Sequence, residues 1–87
     1  MNIQEYADIL NIEISLIYYP NQKNRWSAMF QNCEVMGDGV LIGTYGNGTT
    51  PLSAIGDFIE NIKGKKIVFG AGTLKRREFV VPETLSV

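Results

Sequence analysis

The chain has no histidine and a single cysteine, Cys33, and these two shortages exclude more chemistry than any other property of its 87 residues. Without histidine there is no Ser-His or Cys-His pair and no imidazole to act as general base. One cysteine and no histidine also leave too few ligands for a structural zinc site. An internal disulfide is impossible, whereas small secreted domains usually depend on such crosslinks. Cys33 is therefore expected to be a half-buried thiol in a strand rather than a nucleophile. No enzyme, catalytic residue, metal or cofactor is expected.

Long apolar runs are missing as well. None approaches the roughly 18 residues needed to span a bilayer, so no membrane association is expected. Met1-Asn2-Ile3-Gln4-Glu5 is not basic and leads into no continuous apolar stretch, so no secretory signal is expected either. Net charge is small, −1 overall, and gives no general attraction to nucleic acid or anionic lipid. The charge is unevenly spread, however. Six of the eight basic residues, Lys63, Lys65, Lys66, Lys75, Arg76 and Arg77, lie in a segment free of acids, which leaves the N-terminal two-thirds acidic.

What is present is a globular composition, 45% hydrophobic, in a length that suits one domain spanning 1–87. Asn2 and Glu5 have the spacing of a capping box, and Ile3, Tyr6, Ala7 and Leu10 follow at helical intervals, which predicts a short helix over 3–10. Ile12, Ile14, Leu16 and Tyr18 alternate in a β-branched and aromatic segment that ends at Pro20. After the polar turn Asn21–Asn24, Trp26, Ala28 and Phe30 share one face, with Ser27, Met29 and Gln31 on the other. These two strands are expected to pair antiparallel. Gly37-Asp38-Gly39 is a hairpin signal, and Val40–Tyr45 reads as the third strand of a meander.

Gly46-Asn47-Gly48 then breaks the strand, Thr50 caps a helix and Pro51 occupies its first turn. Ile55, Phe58, Ile59 and Ile62 form one apolar stripe, with Asp57, Glu60 and Asn61 on the opposite side and Gly64 as the left-handed stop. Gly56 costs about 1 kcal/mol relative to alanine in such a helix, and close packing on a strand would account for it. Lys66–Phe69 and Glu78–Val81 are candidate further strands around a Gly70-Ala71-Gly72 turn. The expected fold class is therefore α+β: a short N-terminal helix, a three-stranded antiparallel meander, one amphipathic helix packed on the sheet, and extra C-terminal strands as an option. The core is expected at about 3–69, with the order of the tail 70–87 left open.

Three surfaces are candidates for function. The sheet aromatics come first, with Tyr19, Trp26 and Tyr45 as a protein-binding set. Lys63, Lys65, Lys66, Lys75, Arg76 and Arg77 form a nucleic-acid-binding set, for which solvated lysines at a helix end and loop are the ordinary alternative. Gly48, Thr49 and Thr50 sit where a strand meets a helix N-terminus, the geometry of an anion site for a phosphorylated small molecule. The same residues are also accounted for as a turn and cap, and they match no P-loop or dinucleotide fingerprint. The carboxylates Glu13, Glu34, Asp38, Asp57 and Glu60 have no paired spacing and are expected to be solubilising.

The order of elements over Ile3–Lys63, with Gly46-Asn47-Gly48 ahead of the last helix, resembles the double-stranded RNA-binding domain. That family's phosphate-gripping lysines would fall at Thr49–Ser53, which here read Thr-Thr-Pro-Leu-Ser. The wording Tyr18-Tyr19-Pro20-Asn21, Arg25-Trp26-Ser27-Ala28 and Gly46 through Ile55 is similar to small phage and prophage proteins of unknown role, with a layout like HicB-type antitoxins and the phage α-β-α sandwich family. This resemblance implies a phage accessory or regulatory protein in the cytoplasm of a bacterial host, and it transfers no site residue. The expected function is a non-enzymatic binding module with a protein partner. Nucleic-acid binding and nucleotide sequestration are the alternatives, and unpaired strand edges are compatible with a homodimer.

Overall fold

A computed structural model describes residues 1–87 as two helices and seven strands. The first helix, α1, spans Ile3–Leu10, with Asn2 and Glu5 exchanging both capping hydrogen bonds. It buries Ile3, Tyr6, Ala7 and Leu10, the residues at helical spacing, and ends at Asn11 in the left-handed conformation. β1 (Ile14–Tyr18) pairs antiparallel with β2 (Trp26–Phe30), with Leu16 opposite Ala28.

The meander does not continue from there. Asn32, at φ 55°, redirects the chain into β3 (Cys33–Gly37), which belongs to a second sheet. Asp38 and Gly39 both have positive φ, as a two-residue hairpin requires, and join β3 to β4 (Val40–Gly43). The chain then returns to the first sheet as β5 (Gly46–Gly48), on the far side of β2 from β1. The expected single three-stranded sheet is thus two antiparallel sheets, ordered β1-β2-β5 and β4-β3-β6-β7.

The Gly46-Asn47-Gly48 segment, expected to break a strand, is itself an edge strand lying directly on the second helix, α2 (Pro51–Ile62). A Cβ on Gly46 would lie 2.1 Å from the Phe58 nitrogen, and one on Gly48 2.5 Å from the Ala54 nitrogen. Only glycine permits that approach. Gly56 is not the close-packing residue: a Cβ there would meet only Val87 Cγ1, at 3.8 Å. Thr50 caps α2 through Ser53, Pro51 is in the first turn, and Gly64 follows at φ 72°.

After α2, β6 (Lys66–Phe69) and β7 (Arg77–Val80) form a hairpin that completes the second sheet. The tail is ordered. Val81 and Leu85 are buried, and the Ile3 amide donates to the Ser86 carbonyl at 2.8 Å, tying the two termini together. The core joins both helices and both sheets. Phe30 meets Phe58 edge to face at 5.0 Å between ring centroids and approaches Phe69 at 6.1 Å. No helix is long and apolar enough to cross a membrane.

Candidate functional site

Alternation along β2 sends Ala28 and Phe30 toward α2 and Ser27 and Met29 toward the opposite face. That second face carries no helix and holds a groove made of two adjoining recesses. One, of about 490 Å³, is bordered by Tyr19, Gln22, Lys23, Asn24 and Asn47. The other, of about 1100 Å³, lies at the seam between the sheets, with Gln31, Thr44, Thr73, Lys75 and Arg77 on its walls. Met29 and Tyr45 line both, so the two recesses adjoin at these side chains.

The expected protein-binding aromatics divide between faces. Tyr19 and Tyr45 are 44% and 53% exposed and share the groove. Tyr45 is positioned from α2, where the Asn61 side-chain amide donates to its carbonyl at 2.9 Å. Trp26 is on the α2 face, half buried, with its ring 5.1 Å from that of Tyr18. Alternation with Ala28 and Phe30 sets that face, and the ring contact follows because Tyr18 and Trp26 are directly opposed in register.

The basic segment is not one surface. Lys63 pairs with Glu60 at 2.9 Å, while Lys66 and Arg76 both pair with Glu78, at 3.0 and 2.9 Å. Those two cations hold the Glu78 carboxyl below its ordinary range, through hydrogen bonds from Lys66 and then Arg76. Arg77 donates to the Leu10 carbonyl at 2.8 Å, and its guanidinium lies 5.6 Å from the ring centroids of both Phe69 and Phe79. Of the six, only Lys75 and Arg77 reach the groove, which Glu13 and Glu34 also line.

At Gly48–Thr50 the Thr50 and Ser53 amides are engaged by the helix cap itself. Thr50 Oγ1 accepts from the Ser53 amide at 3.1 Å, and Ser53 Oγ accepts from the Thr50 amide at 3.1 Å. The Asn47 amide donates to Asp57 at 2.8 Å, which puts a carboxylate beside the turn. Asp57, expected to be solubilising, and Asn61, expected opposite the apolar stripe, fasten Asn47 of β5 and the preceding Tyr45 to α2.

Cys33 borders the seam recess, half buried. Burial, with Glu34 beside it, pushes its thiol up to about 12, so it is held protonated. No group of three or more Cys, Asp or Glu side chains is close enough to hold a metal ion. The groove residues that sequence reasoning passed over are Met29, Asn47, Thr44 and Thr73. The only available signal was the placement of Ser27 and Met29 opposite the Trp26–Phe30 face. Comparison with protein-family models, curated proteins and solved structures finds no match for this chain.

Proposed function

We propose that the chain is a binding module with no catalytic role of its own, and that its partner is a protein taken along the groove from Tyr19 to Thr73. Its setting, on this reading, is that of a phage accessory or regulatory protein acting on a host protein. The observation that carries the proposal is the convergence of Tyr19 and Tyr45, both exposed, on one groove floored by Met29. Rigid aromatic anchors account for a large share of binding energy at protein interfaces. The surrounding Asn24, Asn47 and Gln31 offer amides that adapt to a polypeptide backbone. A protonated Cys33 and the lack of histidine supply no nucleophile or base. The phage setting rests on the likeness of the hairpin and helix-start wording to small phage proteins.

The test is capture of a host protein from lysate by the immobilised chain, with the captured protein then purified and its affinity measured. Tyr19→Ala with Tyr45→Ala is expected to weaken that affinity by tenfold or more. Trp26→Phe, on the other face, is expected to leave it unchanged. Equal affinity of wild type and the double variant would sink the proposal.

A second reading is favoured by one observation: Lys75 lies in the same groove as the tyrosine rings and has no ion-pair partner. Single-stranded nucleic acid uses such a combination of cation and stacking platform. It predicts affinity for an oligonucleotide that falls steeply with salt and is reduced by Lys75→Glu. No binding at low salt removes it.

A further inference from the structure

We propose that two copies of the chain pair through the open edge of β1, antiparallel and centred on Leu16, to make one continuous six-stranded sheet. The direction of the backbone groups fixes the register. The Tyr19 amide donates to the Arg25 carbonyl at 2.6 Å, and the Gln31 amide donates to the Glu13 carbonyl at 3.0 Å. In an antiparallel ladder these groups alternate, so residues 13, 15, 17 and 19 turn their backbone toward β2. Ile14, Leu16 and Tyr18 therefore turn theirs outward, where no strand pairs with them. A two-fold axis through Leu16 sets Leu16 against its own copy and Ile14 against Tyr18, so that every outward donor finds an acceptor.

The side chains suit that arrangement. Leu16 and Tyr18, 42% and 48% exposed, stand on the α2 face but beyond the cover of the helix, and the axis places Leu16 against Leu16, and Tyr18 against Ile14, of the second copy. The strand carries no charge to repel its copy, and charges at its ends are complementary. The axis brings Glu13 of one copy beside Tyr19 of the other, next to Lys23, and neither Glu13 nor Lys23 has an ion-pair partner within the chain.

The other edges are less suited. β5 has three residues and lies on α2, β7 carries Arg77 and Glu78, and β4 is a residue shorter and ends in Gly43. Charges blunt an edge, whereas β1, Ile14–Tyr18, carries none.

Sedimentation over a rising concentration series tests the pairing. A reversible monomer–dimer equilibrium is expected for the wild type. Leu16→Lys, which opposes two ammonium groups across the axis, is expected to leave a folded monomer. In a Cys33→Ala background, Leu16→Cys is expected to form a disulfide-linked dimer on oxidation, because hydrogen-bonded pairs place Cα atoms about 5.5 Å apart, within disulfide reach. Ile42→Cys, on the exposed edge strand β4, is expected not to. A wild type that stays monomeric throughout overturns the proposal, as does a Leu16→Lys chain that still dimerises, or crosslinking at Ile42 in place of Leu16. Leu16 faces away from the groove, so partner capture by the monomeric variant separates this test from that of the proposed function.

Discussion

Gly46 and Phe58 are in backbone contact: a Cβ placed on Gly46 would lie 2.1 Å from the Phe58 nitrogen, with the Ala54 carbonyl oxygen 2.3 Å away. Backbone cannot retreat as a flexible side chain can, so α2 would have to lift off β5. That interface also holds Asn47 against Asp57 and Tyr45 against Asn61. Gly46→Ala is expected to destabilise the fold by about 3 kcal/mol or more, measured as a lower midpoint in denaturant. Gly56→Ala serves as the contrast. It sits inside the same helix with only Val87 Cγ1 near, at 3.8 Å, and is expected to stabilise by about 0.5–1 kcal/mol. Equal costs at the two positions would disprove the backbone contact.

The same glycines mark where the sequence was and was not legible. Elements whose instructions are local were readable: α1 with its Asn2–Glu5 cap, α2 with Thr50 and Pro51, and the β1–β2 pair. Gly46 and Gly48 were visible only as turn formers, because composition records a missing Cβ without saying what occupies the space. β3 was hidden because Cys33-Glu34-Val35-Met36 lacks alternation and because Asn32 turns the chain into a different sheet. Tyr19 and Tyr45 were legible as candidate binding aromatics alongside Trp26, but not as the exposed ones. Their union with Met29 and Lys75 depends on the seam between the two sheets, while alternation along β2 sets Trp26 on the other face with Ala28 and Phe30.

Cys33 makes stability depend on alkaline pH. Burial first, and the Glu34 carboxylate second, raise its thiol from the ordinary 9.0 to about 12 in the folded chain. The folded state therefore favours the neutral thiol. The resulting stabilisation is fully present below pH 9 and is lost as pH climbs through about 12. Tyr6, raised by burial and then by Cys33, acts in the same direction at higher pH than its ordinary value of 10.0. Denaturant unfolding is expected to show a flat stability at neutral pH and a fall above pH 9 that is shallower in Cys33→Ala. A thiol reagent at neutral pH is expected to label Cys33 in the unfolded chain far faster than in the folded one.

Arg77 is a structural residue more than a ligand. Its guanidinium lies against the Phe69 and Phe79 rings and donates to the carbonyl of Leu10, the last residue of α1. Arg77→Ala is expected to cost about 1–2 kcal/mol, combining a cation–π contact at an exposed site with a charged hydrogen bond. Arg77→Lys is expected to recover little of it, because an ammonium cannot lie flat on two rings and still reach the carbonyl. Thermal melts of both variants check this. Full rescue by lysine would return Arg77 to the pool of free cations.

Glu78 controls how basic the second sheet is. Its carboxylate accepts from Lys66 at 3.0 Å and Arg76 at 2.9 Å, so two of the residues read as nucleic-acid ligands are neutralised by one acid. Glu78→Gln moves the net charge from −1 to 0 and leaves both cations unpaired. All three side chains are substantially exposed, and exposed ion pairs contribute little to folding, so melting behaviour is expected to stay near that of wild type. Polyanion binding should respond instead. Retention on a heparin column is expected to lengthen, and if single-stranded nucleic acid runs along the groove, its salt dependence should steepen by about one to two released counterions. Oligonucleotide affinity and salt slope unchanged by Glu78→Gln would remove Lys66 and Arg76 from any nucleic-acid surface. Lys75 would then be the one cation of that segment still available to the groove.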